Sequence, residues 1–338
     1  MASCHFCKVV PQQQQQFKSC VCRKVSYCSR ECQTQDWKSH KPSCPLYVIR
    51  ESPGKGRGLF ATRRIKEGQI ILEEYPIFTH DGAMSLQDFK FNHYPNMDED
   101  TRSKILQLFD PAENFKKLDR NTANELVRKD PSLQHYKEAK SDKMNKIFRI
   151  IDGSRLTICD APALYSESEV GLYNHISRIN YACVANTSLT WVMGDFEKKQ
   201  VRAIMNIEKG EEITFCFLTQ PEFFYGSRES RQQQMLEHGA FFCQCSECSL
   251  EGEALEENDK MRAEILESEH AIIELMVRGM MAVRDSRPFD ERRDVKKGMK
   301  LSQRRTKLVT KLNLRAGFMY VMVQSYHLSG SQEVGHLL

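Results

Sequence analysis

The sequence predicts an α+β fold in which zinc-bound segments accompany short strands and long helices. Ten of the thirteen cysteines fall in two clusters, 4–44 and 243–248, with the close spacing of metal ligands. Short apolar and β-branched runs separated by glycine turns follow the first cluster. After the second cluster, apolar residues recur at helical spacing. At 338 residues, the chain is long enough for two or three domains.

The composition is that of an ordinary globular protein, with 28% charged and 40% hydrophobic residues. The formal net charge of +4 is too small to indicate a nucleic-acid-binding protein by itself. The first residues lack the pattern of a secretory signal, and the apolar stretch 271–283 is interrupted by Glu274 and Arg278. We therefore expect a monomer without a membrane span, in the cytoplasm or the nucleus, where reducing conditions favour metal thiolates over disulfides.

The first cluster contains four pairs of potential zinc ligands. Their spacings are C-x2-C, C-x-C, C-x3-C and H-x3-C, in Cys4 and Cys7, Cys20 and Cys22, Cys28 and Cys32, and His40 and Cys44. Eight ligands fill two tetrahedral sites, and such closed sites are structural because no position remains for water. The polar run 12–16 is expected to form a loop, and His5 to be an exposed side chain rather than a ligand. Zinc then replaces a hydrophobic core in this segment.

Strands are predicted in 46–74 and again, in pieces, up to residue 217. The apolar runs are 47–49, 59–61, 70–72, 189–192 and 213–215, with turns at 52–54 and 66–69. Between the two groups, residues 84–150 are polar, charged and helix-prone. They predict a helical insertion at about 80–150.

The second cluster supplies three thiolates with the spacing C-x-C-x2-C, from Cys243, Cys245 and Cys248. Tetrahedral zinc needs a fourth ligand from elsewhere in the chain. The candidates are Cys159, Cys183 and Cys216. Spacing alone does not choose among them.

The chain after Cys248 is predicted to be helical. Its apolar residues at helical spacing are Met261, Ile265, Leu266, Ile272, Ile273, Leu275, Met276, Leu308, Leu312, Leu314 and Phe318. Between Arg287 and Arg315 there are eleven basic residues against three acidic ones. A solvated helix face explains this excess better than a patch for acidic protein, and binding of nucleic acid stays open as a weakly supported alternative.

Residues 27–33 and 36–41 closely resemble the MYND zinc finger, a protein-interaction module. In that family the ligand pairs interleave. The resemblance implies one site of Cys4, Cys7, Cys28 and Cys32, and a second of Cys20, Cys22, His40 and Cys44. The family usually has C-x2-C in the second pair, whereas Ser19 occupies the expected outer position here and Cys20 is offset by one. The resemblance implies a MYND finger over 1–44 that binds partner proteins.

Four segments in order resemble the SET domain of protein lysine methyltransferases, particularly those with a MYND finger. They are 54–61, 177–186, 210–217 and Arg231-Gln232 leading to the second cysteine cluster. The resemblance implies a SET domain with a zinc-binding post-SET flap over 45–250 and a helical region over 251–338. It also assigns Cys183 as the fourth ligand, which makes three zinc sites in total.

The resemblance further implies that S-adenosylmethionine is the cofactor and that a protein lysine is the substrate. In the family, the glycine loop, a motif asparagine and histidine, and a post-SET aromatic ring hold this cofactor. The matching positions are Lys55, Gly56, Arg57, Asn180, Tyr181 and Phe241.

Two matching positions depart from the catalytic pattern. Tyr181 replaces the family histidine, and Phe217 replaces a tyrosine whose hydroxyl borders the lysine channel. Phenylalanine has no hydroxyl, and losing an oriented polar group at a reacting centre typically costs roughly 10²–10³ in rate. A second family tyrosine is also missing, at His238 or Gly239.

Nearby tyrosines that could supply a hydroxyl instead are Tyr173, Tyr181 and Tyr225. Among them, Tyr181 is the best candidate because its motif borders the channel in the family. Two functions remain. One is a protein-lysine N-methyltransferase impaired by Phe217 and Tyr181, and the other is an inactive SET scaffold that acts through MYND-mediated protein–protein interaction.

Overall fold

The fold comprises two compact units that alternate along the chain. A computed structural model describes residues 3–11, 16–20, 22, 24–81, 84–154, 156–157, 169–192, 195–216, 218, 220–284 and 291–314. The first unit consists of Met1–Gly82, Leu156–Asn180 and Leu189–Ile213. The second consists of Ala83–Arg155, Tyr181–Ser188 and Thr214–Leu338. Strands and helices are both abundant, so the predicted α+β class is confirmed.

The strands are short, as the apolar runs predict. They are β1 Lys18–Ser19, β2 Ser26–Tyr27, β3 Tyr47–Ser52, β4 Gly56–Ala61, β5 Ile70–Glu74, β6 Phe78–Asp81, β7 Leu156–Thr157, β8 Glu169–Leu172, β9 Asn180–Tyr181, β10 Thr187–Val192, β11 Asp195–Ala203 and β12 Glu212–Phe215. In the first unit β10, β11 and β5 form one sheet in that order, and β6, β8 and β7 form another. Each of the five apolar runs lies within one of these strands.

An antiparallel hairpin of β3 and β4 holds the glycine-rich segment. Its register ends with Ser52 opposite Gly56, and β12 pairs with the other edge of β4. Gly54 and Gly56 have φ angles of 76° and 78°, which glycine adopts without a Cβ clash. The glycines therefore allow the tight turn between the two strands.

The core of the first unit is made of apolar side chains from its strands and from residues that lie just outside them. Leu59, Ile65, Tyr173, Val201 and Ile213 are fully buried in it. On β4, four successive residues, 58–61, are buried. The core thereby fixes the positions of the glycine turn and of β12.

The N-terminal finger, residues 3–44, belongs to the first unit. Its hairpin of β1 and β2 is followed by the helix α1, Arg30–His40. Ser29 caps this helix, because its hydroxyl accepts a hydrogen bond from the backbone N–H of Cys32. Apart from cysteines, the finger buries few apolar side chains, chiefly Tyr27. This agrees with metal sites in place of a core.

Helices dominate the second unit. They are α2 Leu86–Asp88, α3 Glu99–Leu106, α4 Ala112–Phe115, α5 Arg120–Lys129, α6 Gln134–Glu138, α7 Lys143–Ser154, α8 Pro221–Phe224, α9 Arg228–Gly239, α10 Gly252–Arg284 and α11 Glu291–Lys311. Helices α2–α7 confirm the helical insertion. Asp98, Asp119 and Ser227 begin α3, α5 and α9 as side-chain caps, which explains where these helices start.

Helix α11 ends earlier than the helical spacing of Leu308, Leu312 and Leu314 predicts. It stops at Lys311, and Asn313 adopts a left-handed φ of 55°. Leu314 then donates its backbone N–H to Val309 O, and its side chain is buried. A left-handed residue after the last turn ends a helix in this way. Phe318 lies outside the described residues.

The basic residues of α11 are partly neutralised by α10. Arg304 pairs with Glu264 at 2.9 Å, Lys311 pairs with Glu257 at 2.8 Å, and buried Arg305 pairs with buried Glu269. These contacts favour the prediction of a helix face over a patch for acidic partners. Within the described residues, no helix is long and apolar enough to cross a membrane.

Candidate zinc centres and cofactor-binding residues

Three groups of four metal-ligand side chains converge in the structure. They are Cys4, Cys7, Cys28 and Cys32; Cys20, Cys22, His40 and Cys44; and Cys183, Cys243, Cys245 and Cys248. We call them the first, second and third sets. In each set the ligand atoms all lie within 4.8 Å of one another. The described residues therefore bring together the twelve ligands that the sequence and the resemblance suggested.

The first set joins a turn to the start of α1. Cys4 and Cys7 lie in a turn closed by hydrogen bonds from Cys4 N to Val9 O and from Lys8 N to Cys4 O. Cys7 Sγ and Cys32 Sγ each lie 3.5 Å from Cys28 Sγ. Cys7 is exposed, so solvent reaches this set.

The second set is buried and includes the C-x-C pair. Cys20 Sγ lies 3.9 Å from Cys44 Sγ, and Cys22 Sγ lies 3.5 Å from His40 Nε2. Burial lowers the pKa of His40, which favours the neutral imidazole that zinc requires. Ser43 Oγ lies 3.4 Å from His40 Nδ1 and holds the ring. The offset Cys20 therefore lies where a ligand is needed.

His5 does not join either set. Its Nδ1 lies 2.7 Å from Asp36 Oδ2, which also accepts a hydrogen bond of 2.6 Å from the Tyr27 hydroxyl. The Tyr27 hydrogen bond is the main reason why the pKa of Asp36 is lowered, and His5 adds to it. This network, which is buried at Tyr27 and Asp36 and exposed at His5, links the first knuckle to α1 and stabilises the finger.

The third set joins Cys183, two residues after β9, to the loop after α9. Cys183 Sγ lies 4.0 Å from Cys243 Sγ and 3.4 Å from Cys248 Sγ. Gln232 on α9 holds this loop, since its side chain both donates to Cys243 O and accepts from Cys243 N, each at 2.7 Å. Cys216 is elsewhere in the core, where burial raises its pKa to about 12. Cys159 lies outside the described residues.

The geometry of the three sets fits zinc. A tetrahedral ion at about 2.3 Å from each sulfur places neighbouring sulfurs about 3.8 Å apart. The sulfur–sulfur distances given above range from 3.4 to 4.0 Å. Cysteine and histidine are the ligands that structural zinc prefers, and four protein ligands leave no open position. Each set is therefore suited to hold a structural zinc ion.

In the first unit, the candidate cofactor residues are organised by Glu212 on β12. Asn180 donates its side-chain amide to Glu212 Oε1 at 2.7 Å, and Lys55 Nζ lies 3.4 Å from Glu212 Oε2. Asn180 Nδ2 also lies 3.4 Å from Arg57 O. A Cβ on Gly58 would lie 2.4 Å from Glu212 Oε1 and 2.8 Å from Asn180 Nδ2, so a larger residue there requires these two side chains to shift. This carboxylate therefore ties the glycine turn to the motif asparagine.

In the second unit, Tyr181 and Phe241 are neighbours. Their ring centroids are 6.1 Å apart with an edge-on geometry. The Tyr181 hydroxyl lies 3.3 Å from Cys183 Sγ, and the side chain is buried. A Cβ on Gly239 would lie 2.5 Å from an atom of the Phe241 ring, so a tyrosine at that position requires the ring to shift. The missing second tyrosine and the position of Phe241 are thus linked.

The remaining catalytic candidates are only partly placed. Phe217 lies outside the described residues, so its role stays a prediction. Tyr173 is buried in the core of the first unit. The Tyr225 hydroxyl lies 3.4 Å from Arg305 Nη2 in the helical part of the second unit.

Sequence reasoning missed two supporting side chains. Glu212 lies inside the motif 210–217, but its contact with Asn180 joins positions 32 residues apart. Gln232 was noted only as part of a motif. Both residues are polar and lie within segments that resemble the SET domain, and this is the one signal that could have drawn attention to them.

Comparisons with known families match both regions of the chain. The family model of the MYND finger matches residues 4–44, and that of the SET domain matches residues 56–218.

Curated relatives match more than two thirds of the chain. The chain is 27% identical over 266 residues to the human protein "Histone-lysine N-methyltransferase SMYD3", which covers 75% of this chain and 54% of the relative. It is 26% identical over 243 residues to "Histone-lysine N-methyltransferase ASHR1" of Arabidopsis thaliana, covering 69% of this chain and 44% of the relative. The chain thus spans about half the length of the curated relatives it matches.

Among solved structures, the SET domain of LSMT bound to lysine and AdoHcy matches with a TM-score of 0.32 and 12% identity. That match covers 63% of this chain and 57% of the other.

Proposed function

The chain is a diverged member of the family that joins a MYND zinc finger to a SET domain, and we propose that it is an S-adenosylmethionine-dependent protein-lysine N-methyltransferase. The substrate class follows from the relatives, which are named as lysine methyltransferases of histones or other proteins. We propose the cytoplasm or the nucleus as its location, because reducing compartments favour metal thiolates over disulfides in cysteine clusters such as these three sets.

The observation that carries this proposal is the fixed orientation of Asn180. Glu212 accepts from its amide at 2.7 Å, which sets the direction of the whole group. Preorganised polar groups bind a ligand without the cost of ordering them on binding. Gly58 allows this approach, because a Cβ there would displace the Glu212 carboxylate and the Asn180 amide from their present positions.

The proposed roles divide between binding and orientation. When bound, S-adenosylmethionine supplies an electrophilic methyl group on its sulfonium. Lys55, Gly56, Arg57 and Asn180 are the proposed polar contacts in the first unit. The family resemblance adds Tyr181 and Phe241 to the proposed contacts, and the Phe241 ring offers an aromatic face suited to stack on adenine.

Methyl transfer is expected to be slow. The phenyl ring of Phe217 can neither donate nor accept a hydrogen bond, so it does not orient the lysine amine as the family tyrosine does. The Tyr181 hydroxyl is directed to Cys183 in the structure, which argues against its serving as the substitute.

The test is calorimetric titration of the zinc-replete full chain with S-adenosylmethionine, followed by transfer of a labelled methyl group to a lysine-peptide array. We expect the cofactor to bind weakly, with a heat of binding that is detected only as its concentration is raised towards the millimolar range. We expect methyl transfer to be slow. Absence of any heat of binding at millimolar cofactor would refute the proposal.

A second candidate, a non-catalytic interaction protein, is favoured by a groove in the first unit. This groove has a volume of about 310 Å³. Trp37 lines it together with three cations, Arg30, Arg63 and Lys209, and no acidic side chain is among its lining residues. The Arg63 guanidinium carbon lies 5.6 Å from the centroid of the Trp37 ring. An acidic partner segment with an apolar anchor fits this lining.

Charge reversal separates the two candidates. Arg63→Glu and Lys209→Glu should abolish capture of acidic peptides and leave cofactor binding unchanged. Arg64→Glu is the matched control, since Arg64 pairs with Glu208 and does not line the groove. Equal capture by all three variants would argue against the groove as the interaction surface.

A further inference from the structure

Two fully buried arginines belong to the same core as the third set. Arg231 on α9 is 1% exposed and Arg262 on α10 is 0% exposed. Charged side chains are rarely buried unless something compensates their charge. The compensating group is therefore the first question that these residues raise.

The hydrogen-bond partners of Arg231 and Arg262 account for only part of their donor capacity. Arg231 Nη1 donates to Gly226 O at 2.6 Å and lies 3.8 Å from Asp259 Oδ1. Its Nε and Nη2 are buried without a hydrogen-bond acceptor. A guanidinium carries five N–H donors, so several remain unused.

Arg262 shows the same pattern. Its Nε donates to Asn258 Oδ1 at 2.9 Å and its Nη1 to Phe224 O at 2.8 Å. Its Nη2 is buried, lies 3.5 Å from Glu247 Oε2 and has no hydrogen-bond partner. Two neighbouring guanidiniums thus carry unsatisfied donors in one region of the core.

Both arginines adjoin residues that contact the third set. Gln232, which follows Arg231 on α9, makes two hydrogen bonds of 2.7 Å with the backbone of Cys243. Glu247, whose Oε2 lies 3.5 Å from Arg262 Nη2, directly precedes Cys248. Both guanidiniums thus extend from helices that contact the loop carrying Cys243, Cys245 and Cys248.

Charge explains why this set needs such neighbours. Four thiolates and one Zn²⁺ carry a net charge of −2, and Cys183, Cys243 and Cys248 are buried. The first set has the same charge, but Cys7 is exposed and water can stabilise it. Glu247 and Asp259 face the arginines as well, and their side chains are 18% and 26% exposed, so water reaches them.

We propose that Arg231 and Arg262 form a cationic layer around the third set, in which their unsatisfied N–H groups donate to the thiolates of Cys183 and Cys248. The layer stabilises the deprotonated, metal-bound form and slows the loss of zinc from this set. This role depends on the third zinc site alone and not on methyl transfer.

The test measures zinc loss from each set separately in the full chain. After addition of a chelator, samples are alkylated at intervals, and mass spectrometry follows the modification of each cysteine. We expect Arg231→Met to accelerate alkylation of the third set on the order of 10–100-fold, as is usual when the partners of metal ligands are removed. The first and second sets should be unaffected and serve as internal references.

Two further measurements distinguish charge compensation by Arg231 from a merely structural role. One uses a variant that keeps the charge, and the other uses spectroscopy. Arg231→Lys keeps the charge and should recover part of the slow zinc loss. With Co²⁺ in place of Zn²⁺, removal of N–H donors should shift the sulfur-to-cobalt absorption of the third set to lower energy. Arg149→Met is the control, because Arg149 is a buried arginine of the same unit that pairs with Asp110 at 2.8 Å.

Unchanged zinc loss and an unchanged cobalt spectrum in Arg231→Met and Arg262→Met would overturn the proposal. A spectral shift and faster loss in Arg149→Met of the same size would also overturn it. If Arg231→Met does not fold, Arg231→Lys and Arg262→Met decide by the same two readouts.

Discussion

The hydroxyl of Tyr181 lies 3.3 Å from Cys183 Sγ. The residue that replaces the family histidine is therefore directed towards a ligand of the third set. Burial is the main cause that raises the pKa of this hydroxyl, so it stays protonated and able to donate. Through this contact Tyr181 stabilises the third set. Variants of Tyr181 should therefore change the stability of that set.

Substitution of Tyr181 by Phe should weaken the third set, because it removes the hydroxyl that contacts Cys183 and keeps the ring proposed to contact the cofactor. Removing one neutral hydrogen bond costs about 1 kcal/mol of stability. Chemical denaturation and methyl-transfer rates measured on the same preparation check this. A loss of transfer with normal stability and cofactor affinity would instead assign the hydroxyl a catalytic role.

Three zinc ions per chain are expected from elemental analysis. Cys183→Ser should reduce the value to two, whereas Cys216→Ser should leave it at three, because Cys216 belongs to none of the sets. Structural zinc can contribute about 10–16 kcal/mol to the folding of a finger, so a chelator should unfold residues 3–44. A value of two for the unmodified chain with an intact finger would contradict the third site.

Phe241→Ala should weaken binding of S-adenosylmethionine, because it removes the aromatic face proposed to stack on adenine. A loss of roughly tenfold corresponds to about 1.4 kcal/mol, within the range of one aromatic contact. Phe242→Ala is the matched control, since Phe242 is the adjacent phenylalanine and is 55% exposed. Equal effects in both variants would remove Phe241 from the proposed site.

Loss of the Glu212 side chain should also weaken cofactor binding. Glu212→Ala removes the acceptors of Asn180 and Lys55, whereas Glu212→Gln keeps an oxygen for Asn180 and loses mainly the ion pair. Calorimetry should therefore give the highest cofactor affinity for the natural sequence, a lower one for Glu212→Gln and the lowest for Glu212→Ala. An affinity of Glu212→Ala equal to that of the natural sequence speaks against the fixed asparagine as the basis of the function.

Phe217→Tyr should raise methyl transfer above that of the natural sequence. The restored hydroxyl would orient the lysine amine, a contact that can change the barrier by a few kcal/mol. Rates on a lysine-peptide array are compared for Phe217→Tyr, Tyr181→His and the double variant, with cofactor affinity measured for each. Robust turnover by the unmodified chain would show that Phe217 does not impair catalysis.

Local features of the site were predictable because they depend on residues close together in the chain. The spacing of Cys4 and Cys7, or of His40 and Cys44, brings both ligands within reach of one ion without help from the fold. The apolar runs likewise predicted the strands. Helix α11 was predicted too long because periodicity does not include the left-handed turn at Asn313.

The sequence alone determined the class of fold. It also determined the ligands of the two finger sites and the three thiolates of the second cluster. Composition and spacing could not choose between Cys159, Cys183 and Cys216, since Cys183 meets Cys243 across 60 residues of chain. Only tertiary structure brings those sulfurs together, and only it buries Arg231 and Arg262 beside them. The reason is physical: a chelating pair is set by short-range backbone geometry, whereas charge compensation in a core depends on which distant segments exclude water from one another.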